Sequence, residues 1–309
     1  MTVKLWTFRR LSVILDIHRG VAQHGLAHLL GVQEAAGSNP VAPILYSNRK
    51  WLNPGWFSLL ILLTNDDGID SRGFTLLKER LSKRHDVLAI APEKERTCVG
   101  HAITLHKPLR IKKIDEALFS TNGTPADCVL LGTKVLMKKM PDLVISGINR
   151  GPNTGQDVNY SGTVAAAKEG AFLGINSIAV SIDARQDYLF EDAVETISSV
   201  IEKSVDIEMP SGILLNINIP NIKRERLKGF MVTRLGKRIY NGTITERIDP
   251  RGNKYYWIGG SGDNFERTEG TDLYAVENGY VSITPLGLNM THNEYLNVLR
   301  DHFKAVDRT

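Results

Sequence analysis

Two adjacent aspartates, Asp66 and Asp67, follow an apolar run and have a spacing suited to binding a cation. The run, Leu59–Leu63, is continuous and ends in turn-forming residues, a pattern typical of a buried parallel strand. The C-terminal ends of such strands are where open α/β sheets bind ligands. Neighbouring carboxylates repel one another, and oxygen-only ligands suit Mg²⁺, Mn²⁺ or Ca²⁺. For the pair alone, a turn followed by a helix N-cap is the alternative interpretation.

A second set of polar residues follows another apolar run, Leu143–Ile145. The loop at 146–155 contains glycines, which let the backbone approach a ligand, and also Asn149 and Asn153. Ser161–Thr163 then open a helical run whose free N–H groups suit an anion. An ordinary glycine-rich connection would need neither the two amides nor this helix start. A cation site after one strand and a phosphate site after another together indicate phosphoryl transfer.

The elements that must position these residues alternate between strand and helix from residue 59 to residue 220. Alternation predicts a right-handed, mainly parallel α/β sheet, and we expect a three-layer, Rossmann-like fold with helices on both faces. The predicted strands span residues 59–63, 86–91, 103–114 (mixed with irregular structure), 143–146, 177–182 and 213–219. The predicted helices span residues 73–84, 126–138, 162–173 and 188–204.

After Pro220 the pattern changes to hairpin-like strands at 230–235, 255–258 and 280–283 and a last helix at 293–304. We therefore divide the domain into an α/β core at 59–220 and a hairpin and helix extension at 221–309. Hairpins with little apolar alternation of their own often need a partner surface to bury them. The extension is thus expected to form the contacts of a homo-oligomer.

The body of the protein is electrically neutral, because residues 1–58 carry the whole formal net charge of +4. A neutral body argues against stable nucleic-acid binding. The chain has only two cysteines, without metal-binding spacing, and so few cysteines are typical of a protein with free thiols in a reducing compartment. No apolar stretch is long enough for a membrane span. We expect a cytoplasmic protein that does not bind membranes.

Residues 1–58 differ from the rest of the chain, since they hold three of the four tryptophans and show little periodicity. Gly37–Pro40 spell Gly-Ser-Asn-Pro, which the T-loop of a transfer-RNA gene encodes when it is read as protein. Our leading interpretation is an over-extended reading frame with the natural start near Leu59, so that the segment is non-native or disordered. A targeting peptide is the alternative, because the first twenty residues are basic.

Further stretches with the character of motifs are spread from about residue 59 to the C-terminal region. They are Leu62–Gly68, Ala91–Arg96, Gly123–Cys128, Ser146–Gly155, Tyr160–Ala166, Asp249–Gly252, Tyr255–Gly260 and Gly279–Leu286. In this order they closely resemble the SurE family of metal-dependent nucleotidases. Any one stretch is weak evidence, but the set is highly specific.

The resemblance implies a divalent-metal-dependent phosphomonoesterase that hydrolyses nucleoside 5′-monophosphates to nucleoside and phosphate, with 3′-nucleotides and short polyphosphate as further substrates. It implies one Mg²⁺ or Mn²⁺ per subunit, bound by Asp66, Asp67, Thr97 and Asn149. Asp66 and Asp67 are also the candidate catalytic residues: either one of them serves as the general base, or the metal-bound water needs none. The residues assigned to phosphate and substrate are Asn65, Gly147, Asn153, Gly155, Ser161, Gly162 and Thr163. Family members exchange C-terminal segments, which implies a homodimer or homotetramer.

The sequence departs from the family pattern in the loop after the second strand. Thr97 stands where the family has a metal-binding serine, and Cys98 stands where it has glycine. Threonine keeps the hydroxyl oxygen, although its methyl group restricts χ1. Cysteine is the larger departure if the backbone there needs a positive φ.

Other polar residues have ordinary explanations in the sequence. Asp127 is interpreted as an early-helix charge, Asp272 as a turn residue and Glu95 as part of a solvated charge run. The basic cluster at 234–238 either contacts a phosphate or a partner subunit, or is solvated surface. Tyr160 either stacks on a base or belongs to the core.

The same residues argue against other classes of protein. A nicotinamide-binding dehydrogenase needs G-x-G-x-x-G after the first strand, which Asn65–Gly68 does not provide. A phosphatase with an aspartyl nucleophile needs two aspartates at i and i+2, and a nucleotide-binding module without activity does not need the aspartate pair. The alternative that stays open is a related metal-dependent phosphatase acting on polyphosphate or another phosphate ester.

Overall fold

The structure is a computed structural model, and it describes residues 58–204, 207, 209–240, 242–259 and 264–306. The prediction made for residues 1–58 falls on residues outside this description, apart from Ser58. The strands are β1 Leu60–Thr64, β2 Asp86–Pro92, β3 Ile111–Lys113, β4 Leu118–Thr121, β5 Leu143–Arg150, β6 Asn176–Asp183, β7 Ile213–Pro220, β8 Phe230–Val232, β9 Arg238–Ile239, β10 Thr243–Ile248, β11 Lys254–Gly259, β12 Asn264–Phe265 and β13 Val281–Gly287. The α-helices are α1 Arg72–Leu81, α2 Pro125–Leu131, α3 Gly162–Phe172, α4 Phe190–Ser204, α5 Asp272–Glu277 and α6 Asn293–Val306.

The central sheet runs in the order β3-β4-β2-β1-β5-β6-β7-β13-β8. From β4 to β7 every neighbouring pair is parallel, whereas β3 and β13 pair antiparallel with their inner neighbours. The predicted, mainly parallel sheet is confirmed. Among the described helices, none has the length and apolar character needed to span a bilayer.

Both faces of the sheet are covered by helices, as the uninterrupted apolar character of β1 requires. Ile61 and Leu63 belong to one buried cluster with side chains of α1 and α4. Leu62 points to the other face and packs with side chains of α2 and α3. The three-layer arrangement is therefore confirmed.

The order of the strands reverses at β1, which has β2 on one side and β5 on the other. Thr64 at the end of β1 pairs with Ser146 in β5, so the loops after these two strands begin next to each other. Such a switch point opens a crevice at the carboxyl ends of the strands, where doubly wound proteins bind ligands. The fold thereby brings the two loops singled out in the sequence to one place.

Two predicted elements of the core were wrong in extent. The mixed strand at 103–114 is reduced to β3, whose short run is mostly exposed, and the partner strand β4 was not predicted. The helix predicted at 126–138 is an α-helix only to Leu131 and continues as a π-helical turn, Gly132–Leu136. Gly132 lies tightly against β1, since a Cβ there would be 2.6 Å from Leu62 Cδ1.

The strands predicted as hairpins at 230–235 and 280–283 extend the central sheet instead. β13 pairs antiparallel with β7, and β8 pairs parallel with β13. The prediction of hairpins was wrong because the residue pattern identifies Val281 as apolar but does not show that this residue is buried in the main core. The hairpin expected at 255–258 is present as β11, which pairs with β10.

Candidate active site

The aspartate pair lies in a closed turn directly after β1. The side-chain nitrogen of Asn65 donates to Gly68 O at 2.8 Å, which closes the turn, and Ile69 N donates to Pro92 O at 2.9 Å at the end of β2. Asp66 is buried, with 6% of its surface exposed, and Asp67 is half-buried. Both carboxylates therefore lie in a low-dielectric environment at the switch point.

Asp66 is held by the start of α3. The Thr163 hydroxyl and backbone both hydrogen-bond to its carboxylate. Gly162 makes this approach possible, because a Cβ there would be 2.8 Å from Asp66 Cβ. Burial raises the pKa of Asp66 to about 6; the Thr163 bonds oppose this rise, and the neighbouring Asp67 adds to it. The helix start that the sequence assigns to a phosphate thus contacts a carboxylate of the protein itself.

Asp67 pairs with Arg150, a residue to which the sequence analysis gave no role. Arg150 donates its backbone N–H to Asp67 Oδ2 at 3.0 Å and its Nε to Oδ1 at 3.1 Å. Its Nη2 also donates to Glu95 Oε2 at 2.8 Å. Burial raises the pKa of Asp67, while Arg150 acts in the opposite direction. Glu95 is exposed, as its interpretation as part of a solvated charge run predicts, but it also accepts a hydrogen bond from the Thr97 hydroxyl.

The end of β5 is irregular, and Gly147 is the residue that permits this. Its φ is +142°, and a Cβ at this position would lie 2.4 Å from Val180 O on the neighbouring strand. The register between β5 and β6 shifts between Ser146 and Asn149. Asn149 Nδ2 donates to Gly151 O at 2.8 Å, which leaves the amide oxygen available as a ligand.

The loop after β2 brings Thr97 and Cys98 to the same crevice. Cys98 has a φ of +58°, which lies in the left-handed region that favours glycine. The residue that replaces the family glycine thus keeps the glycine-like backbone. Gly100 N donates to Tyr160 O at 2.9 Å, so this loop is tied to the segment preceding α3.

These loops enclose a cleft of about 960 Å³. Six residues with assigned site roles line it: Asp66, Asp67, Thr97, Asn149, Asn153 and Ser161. The others, which are Asn65, Gly147, Gly155, Gly162 and Thr163, are absent from its lining and support the residues that line it. Tyr160 is 65% exposed in the cleft wall, so its interpretation as a core residue was wrong.

The donor set suits a hard divalent cation. All four residues assigned to the metal line the cleft and offer two carboxylates, a hydroxyl and an amide oxygen. Within the described residues, no three His, Cys, Asp or Glu side chains are grouped so that they could hold a metal, so a cation must also use neutral oxygens. Mg²⁺ and Mn²⁺ accept such ligands and keep bound waters. The buried Asn65 Oδ1 has no hydrogen-bond partner within the described residues, which leaves a further oxygen next to Asp66 and Asp67.

Further residues of the cleft could not be recognised in the sequence. Asp157 accepts a hydrogen bond from the Tyr240 hydroxyl and forms an ion pair with Arg238 at 2.8 Å. Burial raises the pKa of Tyr240 to about 12, and the Asp157 contact adds to the rise. Only 13% of the Arg238 side chain is exposed, so the solvated-surface interpretation does not apply to this member of the basic cluster. No local pattern links these residues, which lie about 80 positions apart.

Fold and cleft together define a doubly wound α/β protein with an acidic, oxygen-rich site at its topological switch point. Known proteins share this arrangement and much of the sequence. The family profile described as "Survival protein SurE" matches residues 61–242. The chain belongs to the SurE family.

Individual relatives match over nearly their whole length. The protein named 5′-nucleotidase SurE of Geotalea daltonii is 46% identical over 245 residues, which cover 78% of this chain and 97% of the relative. Its namesake from Thermoanaerobacter sp. is 46% identical over 243 residues, or 77% and 96% of the two chains. The crystal structure of the SurE protein from Aquifex aeolicus superposes with a TM-score of 0.72 at 44% identity, covering 78% of this chain and 98% of that one.

Proposed function

We propose that this protein is a divalent-metal-dependent 5′-nucleotidase that converts nucleoside 5′-monophosphates to nucleoside and phosphate. The observation that carries the proposal is the convergence of Asp66, Asp67, Thr97 and Asn149 on one cleft at the switch point. The names of relatives that share 46% of their residues with this chain support the same activity.

Asp66, Asp67, Thr97 and Asn149 would hold one Mg²⁺ or Mn²⁺ per subunit. When bound, such an ion polarises the phosphoryl group and lowers the pKa of a coordinated water. Arg150 brings a guanidinium, whose N–H groups match phosphate oxygens, to the same cleft. Asn153 adds an amide, and Ser161 places the start of α3 at the cleft wall by accepting a hydrogen bond from Val164 N at 3.0 Å. These groups bind and orient the phosphate.

The aromatic residues of the cleft favour a nucleotide as the substrate. Tyr160, Tyr188 and Tyr240 all line it, and tyrosine rings offer flat apolar surface for a base or ribose together with a polar hydroxyl. A linear polyphosphate would make no use of this surface. We therefore rank short polyphosphate as a poorer substrate and keep 3′-nucleotides as further substrates.

A substrate panel tests the proposed function. The protein is first treated with a chelator and then supplied with Mg²⁺ or Mn²⁺ and with 5′-mononucleotides, 3′-mononucleotides, tripolyphosphate or a simple phosphate ester. Released phosphate should be highest with a 5′-mononucleotide and should require the added ion. Release only from tripolyphosphate or a non-nucleotide ester would refute the proposal and favour the alternative phosphatase.

We propose further that the protein assembles through the extension at 221–309. The β10–β11 hairpin exposes Ile244 at 69%, Trp257 at 64% and Ile258 at 89%, and single hairpins are stable only when another surface covers them. Light scattering at micromolar concentration should give a homodimer or homotetramer, and Trp257→Lys should shift the population towards smaller species. The control Val135→Lys changes a similarly exposed apolar residue outside the hairpin. A monomeric wild-type protein would contradict this proposal.

The boundaries and location of the enzyme also belong to the proposal. We place the enzyme at 59–309, with residues 1–58 outside it, and in the cytoplasm. Both cysteines are free thiols, Cys98 exposed and Cys128 buried, which suits a reducing compartment. N-terminal mass analysis of the native protein tests this: a chain that begins at Met1 would overturn the boundary, and cleavage between residues 20 and 58 would indicate targeting.

A further inference from the structure

Asp272 is a fully buried carboxylate that joins three distant parts of the chain. It accepts hydrogen bonds from the backbone N–H groups of Gly155 at 2.8 Å, Gly236 at 2.7 Å and Leu273 at 2.9 Å. Burial raises the pKa of Asp272, and the three N–H bonds oppose this by stabilising the charged form. Charge-assisted bonds of this kind are about twice as strong as neutral ones. Asp272 is thus far more than the turn residue that its local sequence suggests.

The contact depends on two glycines. Gly155 has a φ of +55°, and a Cβ there would lie 2.8 Å from Gly236 O. A Cβ on Gly236 would lie 3.1 Å from Asp272 Oδ1. The loop after β5 and the segment before β9 can therefore both reach the carboxylate only because neither carries a side chain at this point.

The loop that Asp272 holds is the one that lines the cleft. Asn153, two residues before Gly155, is held by two side chains of β7. Its N–H donates to Asn218 Oδ1 at 2.8 Å, and its carbonyl accepts a hydrogen bond from Asn216 Nδ2 at 2.8 Å. Beyond Gly155, Gln156 exchanges hydrogen bonds with the backbone of Arg238 at 3.0 and 2.8 Å. The segment 153–157 is therefore fixed at both ends, and Asp272 binds its middle.

We propose that Asp272 is a positioning residue for phosphate-ester hydrolysis, holding the loop at 149–155 so that Asn149, Arg150 and Asn153 face the substrate. The inference rests on the proposed nucleotidase function and adds to it a residue outside the cleft lining. An asparagine at 272 would keep the shape but turn an NH₂ group towards Gly155 N or Gly236 N, so that one donor would face another. Displacement of a binding group by about 1 Å is enough to cost on the order of 100-fold in rate.

The test compares Asp272→Asn with Asp115→Asn in the full chain. Asp115 is an exposed aspartate away from the cleft that also accepts a backbone N–H, from Ala117 at 2.8 Å, so the control removes the same charge and the same kind of bond. With a 5′-mononucleotide and saturating Mn²⁺, Asp272→Asn should lower kcat roughly 10- to 100-fold while KM changes less, and Asp115→Asn should leave both unchanged. Amide hydrogen exchange should accelerate in residues 151–160 of Asp272→Asn but not in β1. A merely structural role would instead accelerate exchange throughout and leave the kcat of the folded protein intact.

A milder variant covers the case in which Asp272→Asn does not fold. Gly236→Ala keeps the carboxylate and pushes it by a few tenths of an ångström, and it should lower kcat several-fold with faster exchange in the same segment. If Gly236→Ala, or a folded Asp272→Asn, shows wild-type kcat and wild-type amide hydrogen exchange, the positioning role of Asp272 is overturned while the proposed nucleotidase function stands. A wild-type protein that releases no phosphate from any mononucleotide would overturn the proposed function and this inference together.

Discussion

Replacing Asp66 by asparagine is expected to lower metal-dependent phosphate release roughly 10²- to 10³-fold, which corresponds to the several kcal/mol that a metal supplies as a Lewis acid. Asparagine keeps the volume of the side chain and can still accept the hydrogen bond from Thr163, so the fold is preserved. It removes one of the two negative charges in the donor set. Titration with Mg²⁺ or Mn²⁺ should show a weaker apparent affinity alongside the lower turnover.

Asp70→Asn is the matched control for this variant. Asp70 lies in the same loop but is exposed and is not part of the cleft lining. Its replacement should leave both turnover and the metal titration at wild-type values. Unaltered turnover and metal affinity in Asp66→Asn would remove Asp66 from the metal site.

Asp66→Asn should also change how the stability of the metal-free protein depends on pH. The folded state raises the pKa of Asp66 from 3.8 to about 6, so it binds the proton more tightly than the unfolded state does. This stabilising contribution is fully present below the unfolded pKa and is lost as the pH rises through the folded pKa of about 6. With chelator at about pH 7.5, Asp66→Asn should be more stable than the wild type by about 2 kcal/mol, and the difference should disappear near pH 4. Denaturant unfolding at the two pH values measures it.

Gly147→Ala is expected to be the most damaging small substitution in the described part of the chain. The new methyl group would lie 2.4 Å from Val180 O, a backbone atom inside the sheet, and a φ of +142° is strained for any residue with a Cβ. We expect a loss of about 3 kcal/mol or more in the free energy of unfolding, since strain and a core clash add. Activity should fall in the remaining folded protein because Asn149 follows two residues later.

Gly174→Ala separates the two causes of that loss. Gly174 also has a positive φ, +76°, but nothing lies within 4 Å of the Cβ that it would gain. It should therefore show the backbone strain alone, about 1 kcal/mol, with normal activity. If thermal unfolding in chelator gives equal losses for the two variants, the contact with Val180 does not constrain Gly147.

The sequence predicts what is encoded locally and misses what depends on contacts between distant residues. Asp66 and Asp67 were recognisable because the apolar run that positions them precedes them directly. Arg150 has no recognisable role in the sequence because its partner Asp67 is 83 residues away, and the residues around Asp272 indicate only a turn because Gly155 is 117 residues away. Contacts between distant residues decide the role of both, and these contacts form only in the assembled sheet.

The extension illustrates the same limit at the level of strands. The apolar run at 280–283 predicts a strand, but it does not indicate which strand of the central sheet this strand pairs with. Its pairing with β7 follows from the free edge that the parallel core leaves open, together with the burial of Val281. The mainly parallel fold, by contrast, was predictable because parallel strands need long crossover connections, which are usually helices, and such helices recur between the core strands of the sequence.

The bond between Asp272 and Gly155 can form only late in the synthesis of the chain. The oxygen donors at 66–149 leave the ribosome well before Gly236 and Asp272 do, and strand β13, which covers the edge of β7, follows later still. A nascent chain therefore contains the whole donor set before the loop beside it is fixed. Chains that terminate before residue 272 would retain the aspartate pair but lack the carboxylate that accepts the hydrogen bond from Gly155 N, so premature termination would remove this support from the loop beside the pair.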